Sequence, residues 1–385
     1  LFCKKVNGNS GFVKPLLLII SVLFTNVSFA YSNVNGFVNE SVNGSANTSQ
    51  AFNFFNTAVL PGTKENFRID IAKGAQDPAT FIPVTVVHGA KKGPVLAIVA
   101  GVHGYEYTSI IAVNKWIAAL EPAQMNGSII IVRVAHVSAF EERSVYVNPY
   151  DRKNLNRSFP GKEQGTQTER IAWAISENVV AKADFLIDLH SGDGGEWLAP
   201  FVGVYGGPLA SNFPLALSVA EAFNFSNIVR YKMNTQQQID TRRSLNRQGV
   251  AENIPTILVE IGENGSKDKR QVNAMVNGLD NSLAVLGITN LDEGKLAKTS
   301  KRQKTQYFDG TRSVPVEHSG LWFPKDMSGK HFKKGDLLGE LKDYFGNTLE
   351  LILAPSDGFA LYGLDGPAIK KGQSIMTIAT PVAKF

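Results

Sequence analysis

An uninterrupted apolar run, Pro94 to Ala100, passes directly into Gly101-Val102-His103-Gly104-Tyr105-Glu106. A run this short and this continuous reads as a strand buried on both faces, and such strands belong to parallel sheets covered by helices. The glycines let the chain turn sharply at the strand's carboxyl end, and a helix-like segment, Ser109 to Leu120, follows. Ligands of open α/β sheets gather beyond the carboxyl ends of the strands. His103 and Glu106, three residues apart at that point, can hold one metal ion. A His-x-x-Glu match alone is weak evidence, so the downstream strands have to supply the rest of the site.

The same pattern recurs. Phe81 to His88, Ser128 to Val134, Ala183 to Leu189 and Thr256 to Glu260 read as strands. Thr168 to Ala181, Phe213 to Phe223 and Val272 to Leu286 read as helices. This alternation predicts an α/β domain over residues 52–290, a mixed, mostly parallel sheet with helices on both faces. The run Phe185-Leu186-Ile187-Asp188-Leu189 ends in His190, with Asp188 two residues back on the same side of the strand. His190 is the natural third ligand, because imidazole, carboxylate and imidazole with one position left open is the pattern of a catalytic zinc site. Glu260 closes a third such strand; a carboxylate in so dry a setting gains proton affinity and can take a proton from water. The competing reading of Glu260 is a buried acid paired with an arginine. After the third strand comes Asn154-Leu155-Asn156-Arg157-Ser158-Phe159-Pro160-Gly161. A planar guanidinium beside an amide, as in Asn156-Arg157, suits a substrate carboxylate. Arg143 and Arg152 flank this loop, and either can hold an oxyanion.

Composition removes several alternatives. In 385 residues, 43% are hydrophobic and 19% charged, enough for packed domains. Lys4, Lys5 and Lys14 precede an apolar stretch, Leu16 to Phe24, and Ser28-Phe29-Ala30 offers a small-x-small cleavage site. Residues 1–30 therefore read as a secretory signal peptide, with a periplasmic destination and no stable membrane span after cleavage; the competing reading is an uncleaved membrane anchor. Those residues hold three lysines and no acid, so removing them lowers the formal charge from +5 to +2. Neither that charge nor any basic stripe argues for nucleic acid. Cys3, the only cysteine, lies in the leader; thiol catalysis and thiolate zinc sites are excluded from the mature chain. Residues 31–51, rich in Asn, Ser and Gly, read as a linker, as do the lysine-rich residues 291–305. Tyr107 breaks the His-x-x-Glu-His zincin pattern, and no Gly-x-Ser-x-Gly elbow is present.

Taken in order, His103-x-x-Glu106, Asn156-Arg157 before Phe159-Pro160-Gly161, Asp188-Leu189-His190 and Glu260-Ile261-Gly262 resemble the succinylglutamate desuccinylase/aspartoacylase family, relatives of the zinc carboxypeptidases. The resemblance spans about Phe52 to Gly287. It implies a zinc carboxypeptidase-like fold and one zinc ion per chain on His103, Glu106 and His190. It also implies that Glu260 activates water and that Asn156 and Arg157 bind a small substrate, often through its carboxylate. The family often has Asp where Asn154 stands and Gly where Arg152 stands, which leaves the oxyanion arginine open; Arg143 is the preferred choice.

Residues 306–385 alternate short apolar runs with Gly, Pro and Asp turns and read as an all-β module. Gly335-Asp336-Leu337-Leu338-Gly339, Ala354-Pro355-Ser356-Asp357-Gly358 and Lys371-Gly372-Gln373 resemble a barrel-sandwich domain. Its hairpin, Lys342 to Asn347, lacks a carrier lysine motif, so a structural or substrate-limiting role is expected. His318 and His331 read as structural or exposed. The chain as a whole is expected to be an exported zinc amidohydrolase acting on an N-acyl amino acid. The alternatives are a carboxypeptidase or cell-wall peptide amidase, and a non-catalytic binding protein.

Overall fold

The structure is a computed structural model and describes residues 2–6, 48–207, 209–210, 212–290 and 304–385. Most of the expected signal peptide (1–30) and of the expected linkers (31–51 and 291–305) lies outside the described residues. The strands of the first part are β1 (Phe2–Val6), a hairpin of β2 (Phe52–Phe54) and β3 (Thr57–Val59), β4 (Thr63–Ile71), β5 (Thr80–His88), β6 (Lys91–Ala100), β7 (Asn126–Val132), β8 (Phe185–His190), β9 (Glu196–Leu198), β10 (Phe201–Gly206), β11 (Asn227–Lys232) and β12 (Thr256–Glu260). Its helices are α1 (Tyr107–Ala119), α2 (Val137–Glu141), α3 (Gln167–Asn178), α4 (Phe213–Ala222), α5 (Gln236–Asp240), α6 (Leu245–Ala251) and α7 (Lys269–Val285). The C-terminal part adds β13 (Gln306–Pro315), β14 (Gly320–Pro324), β15 (His331–Phe332), β16 (Leu337–Lys342), β17 (Thr348–Leu353), β18 (Gly358–Leu364), β19 (Ala368–Ile369) and β20 (Ser374–Val382).

One large sheet runs in the order β1-β4-β5-β7-β6-β8-β12-β10-β11-β13-β20-β18-β15, with β9 paired to β18. Its centre, β7-β6-β8-β12, is parallel. Antiparallel neighbours flank that centre, β5 on β7 and β10 on β12. The apolar run that closes β6 splits as a two-faced strand must. Leu96, Ile98 and Ala100 enter the core beneath α1, α4 and α7. Ala97 and Val99 enter the opposite core with Ile171 and Ile175 of α3. Burying each large aliphatic side chain here stabilises the fold by roughly 1.5–3 kcal/mol. The mixed sheet with helices on both faces is the fold class expected from the sequence, parallel through its centre, while antiparallel pairs outnumber parallel ones over the sheet as a whole.

Helix starts follow their caps. Glu169 accepts from the Thr166 N–H at 2.9 Å and opens α3. Asp268 accepts from the Arg270 N–H at 2.6 Å, so α7 begins three residues before the Val272 expected from periodicity. Besides the short β1, β2, β3 and β9, three longer strands are not marked in the sequence. β4 alternates Lys64, Glu65, Arg68 and Asp70 with apolar residues, β10 is interrupted by Gly203, and β11 carries Arg230 and Lys232. The C-terminal part is all β. A second sheet, β17-β16-β14-β19, packs on the end of the large sheet across a core that holds Val316, Trp322, Leu338, Leu341 and Ile378. No helix among the described residues is long and apolar enough to cross a membrane.

Candidate metal centre

β6 and β8 are parallel neighbours with Ala100 opposite Leu189, so the turn after β6 and the end of β8 meet at one edge of the sheet. Gly101 takes φ +69°, which turns the chain back over the strand end. Gly104 lies so close to α2 that an added Cβ would stand 2.2 Å from the Ala139 carbonyl carbon. That approach swings His103 and Glu106 toward His190. His103 Nδ1 stands 2.5 Å from Glu106 Oε1, and His190 Nδ1 stands 2.9 Å from Glu106 Oε2. One ligand-type atom from each residue falls within 4.8 Å of the others.

The outer ring nitrogens are held as well. His103 Nε2 is 3.2 Å from Asn154 Oδ1, and His190 Nε2 is at ion-pair distance, 3.0 Å, from Asp188 Oδ1. Asp188 Oδ2 in turn accepts from Asn246 Nδ2 at 3.3 Å. Both imidazoles thus present Nδ1 to a common point while an oxygen behind each ring fixes its plane. Two imidazoles and one carboxylate, converging and supported from behind, fit a zinc ion with a position left open. Burial alone would raise the Glu106 carboxyl, but His190 and His103 outweigh it and hold it well below the usual range. Burial alone would lower His190, but Asp188 and Glu106 push it well above its usual value. Both shifts have one cause, the close packing of carboxylates against imidazoles in a buried cluster.

Register places Glu260 of β12 beside His190 of β8, and paired residues of neighbouring strands point to the same face. Burial pushes the Glu260 carboxyl well above the usual range; His190 opposes this, and Glu106, Glu196 and Asp188 add to it. No arginine pairs with Glu260 among the described residues. Asn156 comes to the cluster but is engaged in it, with Nδ2 3.5 Å from His190 Nε2 and Oδ1 accepting from the Leu245 N–H at 2.9 Å. Arg157 is exposed at the cleft, its guanidinium donating to the Asn156 carbonyl at 2.8 Å. Arg143 is exposed beside Tyr107, and among the described residues no hydrogen bond or ion pair joins it to the cluster. His331 meets Gln306 at 2.7 Å, and His318 lies 3.8 Å from Glu350; both belong to the C-terminal part.

Four residues of this region were not singled out from the sequence. Arg247 of α6 and Arg157 both act on the buried Tyr205 phenol. Tyr362 of β18 stacks on Phe201 and senses Glu260 and Arg157, so the C-terminal part reaches the cleft. Asp193 and Glu196 follow His190 in a turn closed by the Gly195 N–H donating to Asp193 Oδ1 at 3.2 Å. Burial, then Asp193 and Glu106, push the Glu196 carboxyl up to about 8. Arginines 242, 243 and 247 just before a strand ending in Glu260 were the one sequence signal for Arg247. The acids had only their closeness to His190.

Fold and site together define the class, a zinc carboxypeptidase-like α/β protein with an open His-Glu-His cluster at the carboxyl ends of its central strands. More particularly, the chain belongs to the succinylglutamate desuccinylase/aspartoacylase family, whose catalytic-domain model matches residues 92–286. It is 30% identical over 267 residues to the N-alpha-acetyl-L-2,4-diaminobutyric acid deacetylase of Halomonas elongata, covering 69% of this chain and 75% of that protein. Among solved structures, a succinylglutamate desuccinylase/aspartoacylase from Rhodobacter sphaeroides superposes with a TM-score of 0.73 at 20% identity, covering 88% of this chain and 99% of that one. The product-bound ectoine utilization protein EutE (DoeB) of Ruegeria pomeroyi gives 0.72 at 24% identity, with 83% and 96% covered. At these identities the two structures establish the shared fold, including the C-terminal β region.

Proposed function

We propose that this protein is an exported zinc-dependent amidohydrolase that removes the acyl group from an N-acyl amino acid. The observation that carries the reading is the convergence of His103, Glu106 and His190 with Glu260 in register beside them. The Halomonas relative supports it, since its named substrate is an N-acetylated amino acid with a free carboxylate. His103, Glu106 and His190 would hold the metal, which when bound supplies Lewis acidity toward the scissile carbonyl and toward water. Glu260 takes a proton from the attacking water and returns it to the leaving amine; its burial supplies the proton affinity this relay needs. Arg157, exposed at the cleft and without an ion pair among the described residues, receives the substrate carboxylate as a planar fork. Asn156 holds His190 in place, and Asp188 fixes the ring from its other side.

Glu260→Gln keeps the shape and removes the basicity. Turnover of N-acyl amino acids should fall by about 100-fold or more, while KM and metal content change little. Loss of the metal in this variant would make Glu260 a ligand or a support. Full activity would refute the role, and cleavage of dipeptides without cleavage of any acyl amino acid would move the reading to a peptidase.

A further inference from the structure

The two faces of the C-terminal sheet β17-β16-β14-β19 are treated differently by the fold. Its inner face is closed, with Trp322, Leu338, Leu341 and Ile352 in the core of the C-terminal part. Its outer face is open. Register sets Phe323, Glu340 and Leu351 side by side, and Leu337 beside Leu353. Neighbours across paired strands share a face, so Phe323, Leu351 and Leu353 stand together on the outside, 48%, 57% and 52% exposed. Leu349 of β17 is open too, and at the tip of the β16–β17 hairpin Tyr344 and Phe345 are 72% and 92% exposed. Six of the fifteen large hydrophobic side chains exposed among the described residues thus fall between Phe323 and Leu353. Exposed apolar residues scattered singly are ordinary, but a cluster of this size marks a contact surface.

The tip is a bonded turn. Asp343 Oδ1 accepts from the Phe345 N–H at 2.9 Å and the Asn347 N–H at 2.8 Å, and Asp343 Oδ2 accepts from Asn347 Nδ2 at 2.9 Å. The turn therefore fixes two aromatic rings in water, where their apolar surface contributes nothing to stability until something covers it. Area and charge together point to the cover. The six side chains expose roughly 700 Å², close to the about 800 Å² per partner of an ordinary stable interface. The ionised groups set among them, Glu340 and Lys342, are 3.2 Å apart. Glu340 also accepts from the Thr348 hydroxyl, and Lys342 Nζ stands 5.4 Å from the centroid of the Phe323 ring. The centre of the face thus carries no net charge. An identical face can meet it with no uncompensated like charges, whereas an anionic lipid surface calls for unpaired lysines.

We infer that the outer face of β14, β16 and β17, with the Tyr344-Phe345 tip, is a dimerisation surface, packed on the same face of a second copy of this chain about a two-fold axis. A two-fold contact uses one patch twice, so an apolar patch without net charge is its own complement. Leucines of the two copies then cover one another, and the rings held out by each tip leave water. The inference is independent of the deacylase reading, because none of these residues belongs to the metal cluster.

The test measures the mass of the purified protein by light scattering and sedimentation across micromolar concentrations. Wild type should have the mass of two chains. Leu351→Lys brings a lysine from each copy into the apolar contact, and the dissociation constant should rise by about 100-fold or more. Phe345→Ser alters a side chain that is almost wholly in water, so the fold survives, and it should weaken the dimer in the same direction. Cys3 is the only cysteine. In a Cys3→Ser background, maleimide labelling of Leu351→Cys should slow as protein concentration rises, while labelling of Lys73→Cys, at an exposed position outside the face, should not. A wild type that stays monomeric, or a dimer unchanged in both Leu351→Lys and Phe345→Ser, overturns the inference. So does a mass that grows beyond two chains, since a two-fold contact closes at two. A monomer that binds phosphatidylglycerol vesicles, with binding lost in Phe345→Ser, would give the face to a lipid surface and also overturn it.

Discussion

His136 is fully buried at the start of α2, and its ring nitrogens find no hydrogen-bond partner of ordinary geometry. Burial, reinforced by His103, pulls it down to about 4, and Asp151 and the Val102 carbonyl offset this only in part. The folded protein therefore keeps a neutral ring where the unfolded chain, with an ordinary histidine, takes up a proton below about pH 6.5. Because the folded pKa is the lower one, stability is lost as pH falls from about 6.5 to about 4, by roughly 3 kcal/mol in all. His136→Gln removes this dependence. Between pH 7 and pH 4 the unfolding free energy of the variant should gain on that of wild type by about that amount, read from urea midpoints at each pH. Parallel pH profiles for the two proteins would show that His136 titrates normally.

At the scale of the element, the turn between β6 and α1 sets the geometry of the centre. It has to reverse the chain, pass under α2 and still present two ligands within three residues. Gly104 is the tightest point, with the Ala139 carbonyl carbon and the Phe140 nitrogen 2.2 and 2.3 Å from a would-be Cβ. Both are backbone atoms of one helix and cannot rotate away. Gly104→Ala should therefore cost about 2 kcal/mol or more and move His103 and Glu106 off their common point. Thermal unfolding and metal content should fall together. Unchanged values for both would mean that the turn relaxes without moving its ligands.

At the scale of the molecule, the large sheet does not stop at the end of the catalytic region. β11 pairs in parallel with β13, and β9 pairs with β18, so Trp197 sits in the core of the C-terminal sandwich while Tyr362 reaches the cleft. The other end of the sheet bears on export. β1 lies on β4, with Lys5 2.8 Å from Glu65. β4 already carries Lys64, Glu65, Arg68 and Asp70, and such charges protect an exposed edge from further pairing. Ser49 and Gln50 are anchored independently, their oxygens 3.1 and 2.6 Å from His88 Nε2. Removal of residues 1–30 would take β1 from the sheet and leave β4 as its edge. The exported protein should begin at Tyr31 on N-terminal sequencing; a folded protein that stays in the cytoplasm with those residues intact would sink the export proposal.

The central strands, their order along the chain and the placing of His103, Glu106, His190 and Glu260 at strand ends were legible in the sequence. Buried parallel strands must be apolar on both faces, so Pro94–Ala100 and Phe185–Leu189 stand out, and any polar residue closing such a run is exposed as chemistry. Edge and mixed strands carry no such mark. β4 reads as polar because only one face is covered, and β11 goes unmarked because its charges pair with residues far along the chain, Arg230 with Asp309. The same distance effect hid the rest of the site. The Asn156 oxygen accepts from the N–H of Leu245, 89 positions away, a partner that no local pattern announces. Arg247, Tyr362, Asp193 and Glu196 matter through what faces them across the cleft, and which groups face each other is decided by strand order and register, contacts that local pattern does not encode.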